Sequence, residues 1–280
     1  MKKSLLLILL LSLGLLFIQS TQAQSYYIAV NAGYNHPFST QNIYIDDLDV
    51  WFANSTTGNN SRTEESVFVS LGRGASFSGA FGIMFSDYVG LELAASHLLG
   101  FRTKAENTWN GGGATQKIGS RMFRFIPSVV ITPGLENVNP YAKFGLVFGV
   151  GCAIYEYDEM DDGDQLYIKA KLNGGLAIGL NSAVGVMFDL TDAIKMFVEL
   201  NMINMSYAPK KGEVIEATYN GVDQLPDMTT REREIEFVKE YTRSYEYSPP
   251  DSEPQEVLKY KLPFGSFGAR VGVIFPLGGK

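Results

Sequence analysis

The chain is poor in several residue types on which small secreted proteins and enzymes depend. Only one of its 280 residues is a cysteine, Cys152, so an intramolecular disulfide framework is excluded. Only two are histidines, His36 and His97, which leaves few groups for acid–base catalysis. Lysine and arginine (23) are outnumbered by aspartate and glutamate (30), and this balance excludes a basic nucleic-acid-binding protein.

Long apolar runs are also absent, except at the N-terminus. Two lysines precede an apolar run over residues 5–18, and Thr21 and Ala23 place small residues where a signal peptidase cleaves. We therefore expect residues 1–23 to be a secretory signal peptide; the alternative is an uncleaved N-terminal anchor. Beyond them, no apolar stretch approaches the length of a transmembrane helix.

What the chain has instead is glycine (29), aromatic residues (12%) and a period of two in its apolar positions. In YAKFGLVFGVGCAIY, residues 141–155, alternate side chains from Ala142 to Ile154 form one continuous apolar face. The other face carries Lys143 and otherwise small residues and one valine. This alternation predicts a β-strand. Because the second face is small and crowded, it is typical of the inside of a narrow barrel.

The same pattern recurs along the chain and predicts eight strands in all, an even number, as in single-chain bacterial barrels. The other segments are SYYIAVNAGY (25–34), ASFSGAFGIMF (75–85), YVGLELAASH (88–97), RMFRFIPSVVI (121–131), GLAIGLNSAVGVMF (175–188), MFVELNMINM (196–205) and FGARVGVIF (267–275). Pro127 lies inside one of them, where it removes a ladder hydrogen bond or marks a bulge.

The predicted connections alternate between short and long. The short ones are 86–88, 133–140 and 189–193, and the long ones are about 36–66, 104–118, 156–168 and 208–258. Short turns at one end and long loops at the other are typical of outer-membrane barrels. Aromatic residues are expected at both rims of the barrel. They are Tyr26, Phe85, Tyr88, Phe188 and Phe275 at the short-turn end, and Tyr34, Phe101, Tyr155 and Tyr207 at the other.

On the segments YVGLELAASH, PYAKFGLVFGVG and FGARVGVIF, residues 25–277 resemble the bacterial outer-membrane β-barrel family. Within it, the chain is similar to the small eight-stranded barrels of the outer membrane protein A type. The resemblance implies an all-β domain over 24–280, an eight-stranded antiparallel up-and-down transmembrane barrel. It implies the outer membrane of a Gram-negative bacterium, with both termini in the periplasm. Where the family often ends on an aromatic residue, Phe275 is followed here by Pro-Leu-Gly-Gly-Lys.

Five charged residues share the inward phase of the predicted strands. They are Glu92, Arg124, Lys143, Glu199 and Arg270. A lone buried charge is costly, so we expect these two acids and three bases to pair with one another. Ser128, Asn181 and Asn201 are expected as polar neighbours, and all of the charges but Arg124 are expected at one level. The network is either structural, closing the barrel to water, or a gate whose pairs exchange partners.

The sequence contains no clear pattern for a catalytic serine–histidine pair or for a nucleotide-binding loop. His97 has the outward phase and Ser96 the inward phase, so the two side chains diverge, and residues 35–38 around His36 contain no serine that could pair with it. The glycine-rich stretch SLGRGASFSG (70–79) lacks the Gly-Lys-Ser/Thr of a phosphate loop. We expect a protein without catalytic residues or cofactors.

An acidic segment, YEYDEMDDGD, holds six carboxylates between Glu156 and Asp164. As a calcium-binding EF-hand it fails, because Met160 and Lys169 fall at ligand positions three and twelve. We expect a solvated outer loop. The alternative is weak contact with a divalent cation. The carboxylates concerned would be Asp158, Asp161, Asp162 and Asp164.

The longest connection, 208–258, contains EREIEFVKEYTRSYEY, which predicts either strands that extend the barrel or a short amphipathic helix. Function usually lies in such loops on a rigid scaffold. The sequence therefore predicts a non-catalytic outer-membrane barrel for envelope structure and for surface interaction or adhesion. The alternatives are a narrow porin-like channel and a lipid-active enzyme. Expected partners are membrane lipid and lipopolysaccharide, the barrel assembly machinery, and an extracellular protein or ligand at 208–258, with the chain monomeric.

Overall fold

The computed structural model describes residues 25–277, apart from residues 49, 136, 192 and 243–248. The predicted signal peptide, residues 1–23, lies outside this described part. No helix in the described part is long and apolar enough to cross a membrane.

The described residues are almost entirely strands, numbered here in chain order. The first are β1 (Ser25–Pro37), β2 (Gln41–Asn42), β3 (Tyr44–Ile45), β4 (Val50–Trp51), β5 (Ala53–Thr57), β6 (Arg62–Ser66) and β7 (Phe68–Val69). Next come β8 (Gly74–Met84), β9 (Val89–Gly100), β10 (Thr103–Trp109), β11 (Gly112–Ile131), β12 (Val138–Asp161), β13 (Asp164–Asn173) and β14 (Leu176–Thr191). The last are β15 (Ile194–Tyr207), β16 (Lys211–Tyr219), β17 (Val222–Asp223), β18 (Glu234–Val238), β19 (Gln255–Leu258), β20 (Leu262–Pro263) and β21 (Ser266–Leu277). The helical turns are Asp46–Leu48, Leu225–Asp227 and α1 (Thr230–Arg233).

Eight of these strands close into an antiparallel barrel, which confirms the predicted fold class. Around the wall the order is β1, β8, β9, β11, β12, β14, β15, β21 and back to β1. The closing pair brings the start of β1 to the end of β21, with Tyr26 opposite Leu277. Each predicted strand segment matches one of these eight strands, and three segments extend one residue beyond the strand, at Phe85, Tyr88 and Gly175. The start of β1 and the end of β21 therefore lie on the side of the barrel that carries the three short turns.

The period of two separates the two faces of the wall as predicted. The outward face carries a continuous set of exposed apolar side chains, here called the apolar belt. It includes Ile28, Val30, Phe77, Phe81, Leu91, Leu93, Phe123, Phe125, Val129, Ile131, Phe144, Leu146, Val150, Leu176, Ile178, Leu180, Val184, Val198, Leu200, Met202, Phe267 and Val271. Inward residues are small or polar at many positions, and at others they are buried apolar side chains such as Leu98, Phe197 and Ile203. A Cβ on Gly268 would lie 2.7 Å from Oδ1 of Asn35 and 2.8 Å from Oδ1 of Asn201, so this interior has no room for one.

Pro127 interrupts one ladder without shifting it. The β11–β12 pairing lacks partners for Ile126 and Pro127, but Phe125 opposite Phe148 and Ser128 opposite Gly145 keep the same register. On its other side Pro127 remains paired with Leu93 of β9. The proline therefore costs ladder hydrogen bonds and makes no bulge.

At the long-loop end, further strands continue the same sheet beyond the belt, and we call this part the extension. Its strands run in the order β6, β5, β10, β11, β12, β13, β16, β18 and β19. Asp47, in the first long connection, binds the last long connection and so joins the two within the extension. Its carboxylate accepts hydrogen bonds from the hydroxyl of Tyr241 at 2.6 Å and from the backbone N–H of Leu258 at 3.1 Å.

Two long connections predicted as loops are mostly strand, and this is a correction. Residues 104–118 lie in the β10–β11 hairpin, and 156–168 lie in the β12–β13 hairpin. The second hairpin turns at Asp162 (φ 47°) and Gly163 (φ 97°), and two successive residues with positive φ are what a two-residue type I′ turn needs. The Asp-Gly pair in DDGD was the signal for it. In 208–258 the predicted strand occurs as β18, and the one-turn helix α1 before it has no buried residue.

The upper interior of the barrel and the space inside the extension share one apolar core. Phe52 and Leu71 from the first long connection pack there with Phe264 from the last one, beside Met122 and Tyr207 of the wall. All of them are almost fully buried. Tyr207 and Tyr155 therefore face inward, which corrects the prediction that they mark the upper rim. Tyr34 and Phe101 do face outward there, with ring centroids 6.0 Å apart.

Candidate functional site

Four of the five predicted inward charges meet in the lower interior, near the short-turn end. Glu92 comes from β9, Lys143 from β12, Glu199 from β15 and Arg270 from β21. The period of two points all four side chains inward, and their similar distances from the short-turn ends of their strands bring them to one level. This confirms the predicted placement of these four residues; we call them the charge cluster.

Lys143 is the centre of the cluster. Its Nζ lies 2.8 and 3.0 Å from the two carboxylate oxygens of Glu92 and 3.1 Å from Oε2 of Glu199. The Nη1 of Arg270 lies 3.4 Å from the other oxygen of Glu199. Two acids and two bases thus neutralise one another at a place where an unpaired charge would be costly.

Two tyrosines complete the cluster, and the sequence analysis did not identify them. The hydroxyl of Tyr27 donates to Glu92 Oε2 at 2.8 Å, and that of Tyr141 donates to Glu199 Oε2 at 3.1 Å. The Nζ of Lys143 also lies 5.0 Å from the ring centroid of Tyr141, within reach of a cation–π contact. The signal was available, because Tyr141 has the same strand phase as Lys143.

Arg124 does not join the cluster, so the prediction that all five charges pair with one another is wrong for this residue. It is fully buried, and its Nη2 lies 3.2 Å from the hydroxyl of Ser96. Its ladder partner Ser96 lies four residues above Glu92 on β9, roughly 13 Å along the strand. Within the described part of the chain, the ion pairs of the two acids are with Lys143 and Arg270, not with Arg124. The predicted polar neighbours Ser128, Asn181 and Asn201 are buried in the same interior.

A cavity of about 270 Å³ opens at the short-turn end and reaches the cluster. Its inner wall includes Glu92 and Lys143, and its sides are formed by residues such as Tyr27, Met187 and Ile274. Above the cluster, the apolar core described above fills the barrel. Solvent thus reaches the charges from one end of the barrel.

The histidines and the serine considered for catalysis do not come together. Ser96 is buried inside the barrel, whereas His97 is exposed on its outer face. The ring of exposed His36 contacts the carbonyl of its own neighbour Pro37. Among the described residues, no three His, Cys, Asp or Glu side chains are arranged to hold a metal ion.

The acidic hairpin uses several of its carboxylates as hydrogen-bond acceptors. Asp158 accepts from Gln165 at 3.0 Å, and Asp161 accepts from the indole N–H of Trp109 at 2.7 Å. Asp164 accepts from Tyr219 and Asn220, and these bonds lower the pKa of its carboxyl. The carboxylates therefore join neighbouring hairpins of the extension. Asp162 lies in the turn, and cation binding by the four aspartates stays a prediction.

No protein-family model and no curated protein sequence matches this chain. The fold and the interior described above are therefore the basis for assigning a function.

Proposed function

We propose that this chain is a non-catalytic integral protein of a bacterial outer membrane, with a sealed barrel that carries the extension at the cell surface. The observation that carries this proposal is the apolar belt. Monomeric soluble proteins rarely expose a continuous apolar patch of this extent, and large patches mark a protein or membrane interface. A closed barrel also pairs its backbone groups around the whole wall, as a hydrocarbon environment requires.

The dimensions and rims of the belt support insertion in a bilayer. On β11 the outward apolar residues run from Phe123 to Ile131, close to the 9–11 residues of a typical spanning strand. Exposed aromatic residues lie beyond the belt on both sides, as interfacial aromatics do. They are Tyr26, Tyr88, Phe188 and Phe275 at the short-turn end, and Tyr34 and Phe101 at the other.

The orientation follows from the sorting of the connections. The start of β1 and the end of β21 both lie beside the short turns. In such barrels the short turns face the periplasm, so the extension faces the cell exterior. The predicted signal peptide is consistent with export. We infer a role in envelope structure and surface contact, with the 208–258 region as the site for an extracellular protein or ligand. The chain would be a monomer delivered by the barrel assembly machinery.

The apolar core of the upper interior favours this role over a porin-like channel. Phe52, Leu71 and Phe264 fill the barrel where a channel needs water. The two acids and two bases of the charge cluster also balance one another, rather than presenting the single sign of charge that selects ions.

The experiment is refolding of the mature chain, residues 24–280, into phosphatidylcholine vesicles, followed by trypsin digestion from outside. We expect strand-rich circular dichroism, a band that shifts on boiling in gel electrophoresis, and a protected fragment that contains the belt strands. A chain that stays folded and monomeric in buffer without detergent or lipid would contradict the proposal.

A further inference from the structure

Three basic side chains on the outer face of the wall, just above the apolar belt, form no ion pair with any residue of the described part of the chain. They are Lys117 and Arg121 of β11 and Lys171 of β13, and we call them the basic triad. Their outward direction follows from their neighbours, since Gln116, Ser120 and Leu172 are buried on the inner face. Arg121 and Lys171 are exposed and Lys117 is half-buried.

The triad surrounds one spot on the wall. Arg121 lies two residues beyond Phe123, a belt residue, and opposite Cys152. Lys117 stands four residues further up the same strand, roughly 13 Å away. Lys171 lies opposite Ile154, in the same row as Gly119, two strand spacings or roughly 10 Å across. The three bases thus stand around the row formed by Gly119 and Ile154, with the stem of Arg102 lying over Gly119.

Three other basic residues on this face have acidic partners. The Nη2 of Arg102 lies 2.7 Å from buried Glu156, Lys169 pairs with Glu216 at 3.3 Å, and Lys104 pairs with Glu106. The side-chain stem of Arg102 lies across Gly119, whose Cβ would be 3.1 Å from its Cγ. These pairs neutralise their own acids, so the triad keeps its three positive charges.

The opposite rim of the belt differs. Among the described residues, the base at the short-turn end is Lys195, and it pairs with Asp189 at 2.9 Å. Asp87 is exposed at the same end. A chain with a formal net charge of −7 thus gathers unpaired positive charge beside the belt at one rim. A general enrichment of basic residues near membrane surfaces would place them at both rims, so it does not explain why they gather at one.

We infer that the basic triad binds the phosphate groups of an anionic membrane lipid in the leaflet at the long-loop end. This rests on the proposed function, because the triad lies at headgroup depth only if the belt lies in a bilayer. Arginine and lysine are the side chains that recognise phosphate, arginine through two parallel hydrogen bonds. The aromatic pair of Tyr34 and Phe101 at the same rim fits the boundary between acyl chains and headgroups.

The experiment measures lipid retention by the refolded chain 24–280 in detergent micelles, with native mass spectrometry. The probes are lipid A with its phosphates, enzymatically dephosphorylated lipid A, and inorganic phosphate. Each base at a membrane surface contributes about fivefold to binding. The triple variant Lys117→Gln, Arg121→Gln, Lys171→Gln should therefore bind phosphorylated lipid A about a hundredfold more weakly. The control triple Arg62→Gln, Arg231→Gln, Lys239→Gln changes charge equally within the extension and should bind like the unchanged chain.

Equal retention by the two triple variants would overturn the inference, and so would equal binding of lipid A with and without phosphates. Competition by inorganic phosphate at concentrations near that of the lipid would show a free-phosphate site and overturn the lipid assignment. Insertion into phosphatidylcholine vesicles is tested separately for each variant. Failure of the unchanged chain to insert would count against the proposed function, whereas insertion without phosphate preference would count against the triad alone.

Discussion

Lys143 and Glu92 form a two-oxygen ion pair inside the barrel, with Nζ 2.8 and 3.0 Å from the two carboxylate oxygens. The two residues are 51 positions apart in the chain, on strands β9 and β12, so the pair bridges the strand β11 that lies between them. Because both side chains are nearly buried, their contribution depends on each being present.

Replacing Lys143 by methionine should destabilise the barrel strongly. The change leaves Glu92 and Glu199 buried without their shared cation, and breaking a buried pair in this way costs roughly 3–5 kcal/mol. Urea unfolding of the vesicle-inserted protein measures the difference in free energy of unfolding. The control is Lys195→Met, which breaks an exposed pair with Asp189 and should cost less than about 1 kcal/mol.

The double variant Glu92→Gln, Lys143→Gln separates pairing from packing. It should be less destabilised than the sum of its single changes, because it removes both charges together. Additive effects would mean that the two charges are independently hydrated and that the cluster does not stabilise the barrel.

The inserted protein should show no steady ion conductance in a planar bilayer. Above the charge cluster, the apolar core around Phe52 and Phe264 fills the barrel, and the charged side chain of Arg124 there is fully buried. The measurement is single-channel recording on the mature chain. Stable current steps that change on Glu92→Gln or Arg270→Gln would contradict the sealed interior and support the channel interpretation, in which the cluster is the gate.

Replacing Asp47 by alanine should loosen the extension while the barrel stays inserted. The change removes the acceptor for the Tyr241 hydroxyl and for the backbone N–H of Leu258, and hydrogen bonds to a charged group contribute roughly 1.5–3 kcal/mol. We expect faster tryptic cleavage at Lys259 and Lys261, with an unchanged boiling shift in gel electrophoresis. Asp227→Ala, at an exposed position in the same long connection, should leave the cleavage rate unchanged.

The contact between the acidic hairpin and the turn at Asn220 should weaken in acid. Hydrogen bonds from Asn220 and Tyr219 lower the pKa of Asp164 below its ordinary value of 3.8. The carboxylate therefore stabilises the contact above the unfolded pKa, and this stabilisation is lost as the pH falls through the lower folded pKa. Amide exchange at Gln165, whose N–H donates to Asn220, should report the loss below about pH 4. In Asp164→Asn this pH dependence should disappear.

Several features of the fold could be predicted from the sequence because they depend only on residues that are close together in the chain. Alternation fixes which way each wall residue points, so the inward placement of Glu92 and the outward placement of Phe144 followed from phase alone. The acidic hairpin could also have been predicted from its Asp-Gly turn, but the density of carboxylates suggested a loop. The repulsion between them is screened by solvent, and the hairpin is held by its ladders to β11 and β13.

The partners of the inward charges could be predicted only in part. Phase places a residue inside the barrel but does not give its height relative to residues on distant strands, which depends on the stagger of the wall. Glu199 and Lys143 meet because their heights agree, whereas Arg124 lies too high for either acid. The basic triad was hidden for the same reason, since the height of Lys171 relative to Lys117 and Arg121 depends on how β13 is aligned with β11 through β12.

By itself, the sequence determined that this is an all-β chain whose wall alternates between an apolar and a small, polar face, and that its connections are short at one end. These properties depend on residues two positions apart and on the lengths between strands. Only the tertiary structure decided that Phe52 and Phe264 fold into the barrel mouth, that Asp47 joins the first and last long connections, and that Lys143 is shared by two glutamates. In irregular segments the side chains follow no repeating pattern, so the sequence does not show which of them point inward. Which ones become buried depends on the space inside the closed barrel that must be filled.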